Sequence, residues 1–192
     1  MYRLALIALL TISTTLHAQS KIGVMASFLY NGPEIDTNAD DINEESEIGY
    51  GIGMRALVPL TSGLNFRTGA GFIEKNVSYE VDFAGTKSGA DLSFLYLNIP
   101  LTLYLSGLDE KFGVFGGTAI QALLSDDCET KGVAGSCRNI DEKTLVFPIV
   151  LGFDFSFTQT LSMELSYEYG VTHAAKDLKI NSAVLSLVWN LQ

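Results

Sequence analysis

The sequence predicts an all-β chain, an eight-stranded antiparallel up-and-down transmembrane β-barrel. Three features predict it: an export segment at the amino terminus, eight runs of period-two alternation, and one large apolar face opposed by small or polar residues.

The export segment comes first. MYR gives a cationic start, LALIALL an apolar core and TTLHA a small-residue exit, so residues 1–18 read as a signal peptide cleaved after Ala18. Its apolar run is too short to span a bilayer. Residues 19–192 then form one domain. Losing Arg3 leaves 11 basic and 22 acidic residues, a net charge of −11, which argues against nucleic acid as a partner.

The alternating runs lie near 21–30, 47–59, 64–75, 92–105, 112–124, 144–157, 160–173 and 180–191. Their connections alternate in kind. Residues 31–46, 76–91 and 125–143 are long and polar and 174–179 is shorter, whereas LTSG (60–63), SGLDEK (106–111) and TQ (158–159) are compact. Long loops at one end and tight turns at the other are the habit of outer-membrane barrels, with both termini on the periplasmic side.

Face composition separates lipid from water. In LYLNIPLTLYL, Leu95, Leu97, Ile99, Leu101, Leu103 and Leu105 share one parity, and Tyr96, Asn98, Pro100, Thr102 and Tyr104 the other. The second run sets Ile48, Tyr50, Ile52, Met54, Ala56 and Val58 against Gly49, Gly51, Gly53 and Arg55. A soluble sandwich can show the same alternation with its apolar face inside. The glycine- and serine-rich opposite face suits a narrow lumen better than a solvated surface. Tyr30, Tyr50, Tyr104, Phe155, Phe157 and Trp189 near run ends suit interfacial girdles. Pro100 and Pro148 take the lumen parity, where each predicts a bulge or a missing ladder bond.

FLYLNIPLTLYL resembles the Y-L-x-I-P-L strand of the PorT-like outer-membrane β-barrel domain family, and GLNFRTGAGFIEKN (63–76) resembles that family's earlier strand. SAVLSLVWNLQ is similar in placement to the closing strand of such barrels, although many of those end on an aromatic residue. The resemblance implies an outer-membrane barrel, recognised by the barrel assembly machinery, and no particular activity.

Candidate functional residues are few. Arg55, Arg67, Asp154, Glu164 and Glu168 share the lumen parity and are expected toward the periplasmic half, pairing as a polar plug or, alternatively, lining a gated conductance. Cys128 and Cys137, in DDCETKGVAGSCRN, predict a loop disulfide in an exported chain. Closing so short a loop would stabilise the fold by about 2.5–3 kcal/mol on the chain-entropy model. NGPEIDTNADDINEES carries six carboxylates and no basic residue. Within it Asp36, Asn38 and Asp40, with Glu47, mimic calcium-loop spacing, although Asp41 stands where that loop needs glycine. The other reading is an acidic surface loop, or one bridged by divalent cations to anionic glycolipid. His173 is the only histidine of the mature chain, and HAA lacks the serine that a lipid A deacylase would place beside it. No phosphate loop, nucleophile elbow or zinc spacing occurs.

The sequence therefore predicts a non-enzymatic outer-membrane protein with a structural or surface-interaction role and no resident cofactor other than a possible calcium ion. Its expected neighbours are outer-membrane lipid, surface glycolipid and an unidentified protein partner. A small pore or transporter, and an accessory subunit of a secretion or envelope machine, are the alternatives.

Overall fold

The computed structural model describes residues 20–35, 42–83, 86–107, 111–131, 143–175 and 178–191. They form β1 (Lys21–Ile35), β2 (Ile42–Thr61), β3 (Leu64–Phe83), β4 (Thr86–Ser106), β5 (Phe112–Lys131), β6 (Leu145–Val146), β7 (Pro148–Ser156), β8 (Leu161–Gly170) and β9 (Leu178–Leu191). β6 and β7 are two parts of one strand interrupted at Phe147, so eight staves make the ring. Each pairs antiparallel with its sequence neighbour, and β1 pairs with β9 to close it. Closure leaves no sheet edge at membrane depth, which is what lipid demands of a backbone.

The outer wall follows the sequence parity. The leucine row of β4 faces out while Tyr96, Asn98, Pro100, Thr102 and Tyr104 are buried. From Leu95 to Leu105 that wall is as long as a tilted strand needs to cross a bilayer. Ile52, Leu151 and Trp189 are each about 60% exposed around the ring. So continuous an apolar belt would drive aggregation in water and is stable only in lipid.

The lumen face is rich in glycine partly because rings from neighbouring strands lie over it. A Cβ on Gly113 would stand 2.2 Å from the Tyr104 hydroxyl oxygen, and one on Gly152 would stand 2.4 Å from the Phe115 ring. At the turn end, Gly63 has φ +82°, a left-handed conformation that glycine adopts without penalty, and it closes the tight β2–β3 hairpin.

The structure corrects the sequence reading of the fold in three places. The stretches read as long loops carry strand at their described ends: β1 continues to Ile35, β2 begins at Ile42, the β3–β4 hairpin runs to Phe83 and Thr86, and β5 runs to Lys131. Above the belt the outer face meets water, so the apolar signal fades there although the ladder persists. Tyr104 is not an interfacial girdle residue; it points into the lumen and is 5% exposed. The lumen, finally, is not polar throughout. Its half nearer the tall end is filled by Leu29, Ile73, Val77, Leu92, Phe94 and Val184, among others.

Candidate functional site

Four of the five predicted lumen charges meet. Arg55 Nη1 donates to Asp154 Oδ2 (2.5 Å) and Glu164 Oε1 (2.7 Å), and its Nη2 donates to Asn190 Oδ1 (2.6 Å). Arg67 clasps Glu164 through Nε (3.1 Å) and Nη2 (2.5 Å). The Arg67 guanidinium also lies 4.3 Å from the centre of the Phe115 ring. All four charged groups are at most 5% exposed. Two cations and two carboxylates balance, so the desolvation cost of each ion is offset by partners at contact distance.

Glu168 stands apart, correcting its placement with the other four. It accepts from Lys75 Nζ at 2.7 Å and from Gln121 Nε2 at 3.0 Å, forming a second ionic layer. Lys75, 2% exposed, was missed in the sequence reading. Beyond this layer the apolar filling occupies the lumen. On the other side, a vestibule of about 1250 Å³ opens at the turn end, and Arg55, Asp154 and Tyr104 line its inner wall. From the turn end the lumen therefore runs through an open vestibule, two ionic layers and an apolar plug.

The two prolines flank one residue. Pro100 pairs with Ala119 on the β5 side. On its other side the β3–β4 pairing lapses between Arg67–Thr102 and Gly71–Asn98. That lapse places Pro100 opposite Gly69, where an added Cβ would lie 1.9 Å from the Met54 carbonyl oxygen. The β5 pairing lapses again between Thr118–Ile149 and Gln121–Val146, around Pro148. Thr118 Oγ1 donates to the Pro148 carbonyl at 2.8 Å, and Phe147 N–H donates to Thr172 Oγ1 at 2.8 Å. A missing N–H at each proline coincides with a break in the ladder, and neighbouring side chains supply hydrogen bonds there.

At the tall end, β2–β5 rise above the belt as a sheet whose outer face is acidic. Cross-strand register sets Glu45 beside Ser78, Ser78 beside Asp91, and Asp91 beside Glu129; in the next row Asn76, Ser93 and Asp127 align. With Glu47 and Glu74 these residues border a depression of about 380 Å³. Lys131 Nζ reaches Asp91 Oδ1 at 2.7 Å. Partial burial would raise the Asp91 pKa, yet hydrogen bonds from Lys131 and Ser78 and the ammonium charge hold it below the usual carboxylate range. The hydrogen bond to Asp91 raises Lys131, against a smaller desolvation effect.

The pair's stabilisation is thus present above the unfolded Asp value near ~3.9 and is lost as pH falls through the lowered folded value. It is present below the unfolded Lys value near ~10.4 and is lost as pH rises through the raised folded value. Both groups are about two-fifths exposed, so Asp91→Asn is expected to cost less than about 1 kcal/mol. Urea midpoints of wild type and Asp91→Asn should differ slightly at neutral pH and converge in acid. A difference that grows in acid would contradict the pair.

The remaining candidates do not assemble a catalytic site. Asp36, Asn38 and Asp40 lie outside the described residues, and Glu47 sits on β2 opposite Asn31. Among the described residues no three histidine, cysteine or acidic side chains converge as metal ligands. Cys128 is on β5 beside the apolar plug, and Cys137 lies outside the described residues. His173 follows β8 at the tall end.

A closed ring with an apolar belt and a buried ionic interior defines an integral outer-membrane β-barrel. The chain belongs to the outer membrane protein beta-barrel domain family, whose signature spans residues 11–176. Among solved structures it is similar to Ail, the attachment invasion locus protein of Yersinia pestis, in complex with the heparin analogue sucrose octasulfate. The TM-score is 0.52 at 12% identity, over 90% of this chain and 99% of that one. Neisserial surface protein A gives a TM-score of 0.44 at 11% identity, over 90% of this chain and 98% of that one. At that identity the likeness to Ail shows a shared fold alone. No curated protein matches the chain. The fold and family place the protein in the outer membrane of Gram-negative bacteria.

Proposed function

We propose that this barrel is a non-enzymatic surface-interaction protein, a PorT-like member of its family, whose tall end faces outside and whose termini and short turns face the periplasm. The observation that carries the reading is the acidic β2–β5 sheet raised above the lipid belt on a barrel whose lumen is plugged. Its exposed carboxylates suit contact with cationic or cation-bridged partners, including divalent-bridged surface glycolipid. Such a surface does not match the polysulfated ligand held by Ail. Export would remove residues 1–18, and the barrel assembly machinery would insert the remainder.

Orientation is tested with Glu45→Cys and Ser62→Cys in intact cells treated with a membrane-impermeant maleimide. Labelling above the wild-type background is expected only for Glu45→Cys; labelling only of Ser62→Cys would invert the reading. Planar bilayers containing the folded protein should stay electrically silent, because ions entering the vestibule meet the ionic layers and then the apolar plug. Stable ion-selective openings would favour the pore instead. The reading retains the Cys128–Cys137 disulfide in the outer region. Two alkylatable thiols in protein isolated from the native envelope would remove it.

A further inference from the structure

Between the two ionic layers, one cross-strand row of the lumen wall carries little side-chain volume. Register sets Met25 of β1 beside Gly53 of β2, Gly53 beside Gly71 of β3, Gly71 beside Asn98 of β4, and Asn98 beside Gln121 of β5. All five take the lumen parity, and on β3 the row lies midway between Arg67 and Lys75. The two glycines add no side chain to the space that they face. Three buried polar atoms around the row have no hydrogen-bond partner among the described residues: Asn98 Oδ1, Gln121 Oε1 and the Nε of Arg55, which stands one lumen position from Gly53. Asn98 is 8% exposed, Arg55 4% and Gln121 not at all. Buried groups of this kind are satisfied in native interiors by protein or by ordered water.

We propose that this row binds an ordered water molecule that joins the two ionic layers, accepting from Arg55 Nε–H and donating to Asn98 Oδ1 and Gln121 Oε1. A buried water makes about three hydrogen bonds, and one donor with two acceptors supplies them. Charge decides against a cation. Arg55, Arg67 and Lys75 are matched by Asp154, Glu164 and Glu168, so a further cation would leave uncompensated charge in the interior. Two amide oxygens also fall short of the roughly six to eight oxygen ligands that a calcium ion takes. Gln121 Nε2 donates to Glu168, the partner of Lys75. The water therefore completes a hydrogen-bonded path from Asp154 and Arg55 at the vestibule to the second layer, where the apolar plug ends it. Such a path holds water without admitting ions, in keeping with an electrically silent barrel.

Nuclear magnetic resonance of the isotope-labelled, folded barrel in detergent micelles tests the site by magnetisation transfer from water to side-chain N–H groups. Overhauser transfer with the sign of a long-lived contact is expected at Arg55 Nε–H and at the Asn98 side-chain amide. Its absence from the wild-type protein would overturn the proposal. Asn98→Leu puts an apolar side chain of similar size in the row, and should abolish the transfer at Arg55 Nε–H. Transfer that persists there would come from a neighbouring hydroxyl, Ser162 beside Arg55 or Tyr104 beside Asp154, and would also overturn it. Should Asn98→Leu not fold, Ser162→Ala and Tyr104→Phe make the same distinction: each should leave the transfer at Arg55 unchanged, and its loss in either would assign it to that hydroxyl. Replacing sodium chloride with choline chloride should leave the Asn98 amide shifts where they are. A saturable shift on return of sodium would place a cation in the row and overturn the water.

Discussion

Replacing Glu164 with alanine is expected to destabilise the folded barrel by about 3–5 kcal/mol, the usual cost of leaving buried charge without its partner. Glu164 is the acceptor shared by both arginines, bonding Arg55 through Oε1 and Arg67 through both oxygens. Without it Arg55 keeps Asp154, but Arg67 keeps only its stacking on Phe115 among the contacts that balance its charge. Urea titration of vesicle-inserted protein, read by the mobility shift between folded and unfolded forms, measures the loss. A double replacement, Glu164→Leu with Arg67→Met, should recover much of it, because the orphaned cation leaves with the carboxylate and the site becomes apolar. If Glu164→Ala moved stability by less than about 0.5 kcal/mol, the scale of an ordinary surface change, the ionic layer would not be holding the barrel together.

Parity was the most legible property of this chain, because lipid and lumen impose opposite demands on alternate residues along the whole crossing. It identified the leucine wall of β4 and the inward arginines and carboxylates. It also contained Lys75, which lies on the parity of Arg67 at the end of the same run, and carrying the alternation to its last residue would have found it. Which cation meets which carboxylate was not legible. Arg55 and Glu164 are 109 residues apart, and their meeting depends on the closure and stagger of the whole ring. The raised strands escaped notice because water lies outside them, so their outer positions carry Glu45, Asn76, Asp91 and Asp127 and read as loop. The apolar plug escaped for the converse reason. At Phe94–Leu95 both faces are apolar, and sequence alone cannot tell a residue facing lipid from one filling a lumen.

Leu151→Arg is expected to destabilise the inserted barrel by about 2–4 kcal/mol, whereas Phe157→Arg should cost only about 0–1 kcal/mol. Both side chains face outward and more than half of each is exposed, so loss of packing inside the barrel does not distinguish them. Depth does. Leu151 lies midway along β7, between Pro148 and Ser156, and a guanidinium there must reach through hydrocarbon to find water. Phe157 lies just past the end of that strand, at the turn, where the interface is within reach of a long side chain. In detergent micelles, which adapt around a single charge, the difference should narrow; in bilayers it should be full. Equal costs for the two variants in bilayers would mean that the exposed belt does not lie across hydrocarbon, and the membrane assignment of the outer wall would fall with it. A large cost at Leu151 alone ties the alternating leucines, phenylalanines and isoleucines of the sequence to lipid, leaving the lumen to be explained by charge pairing and apolar packing.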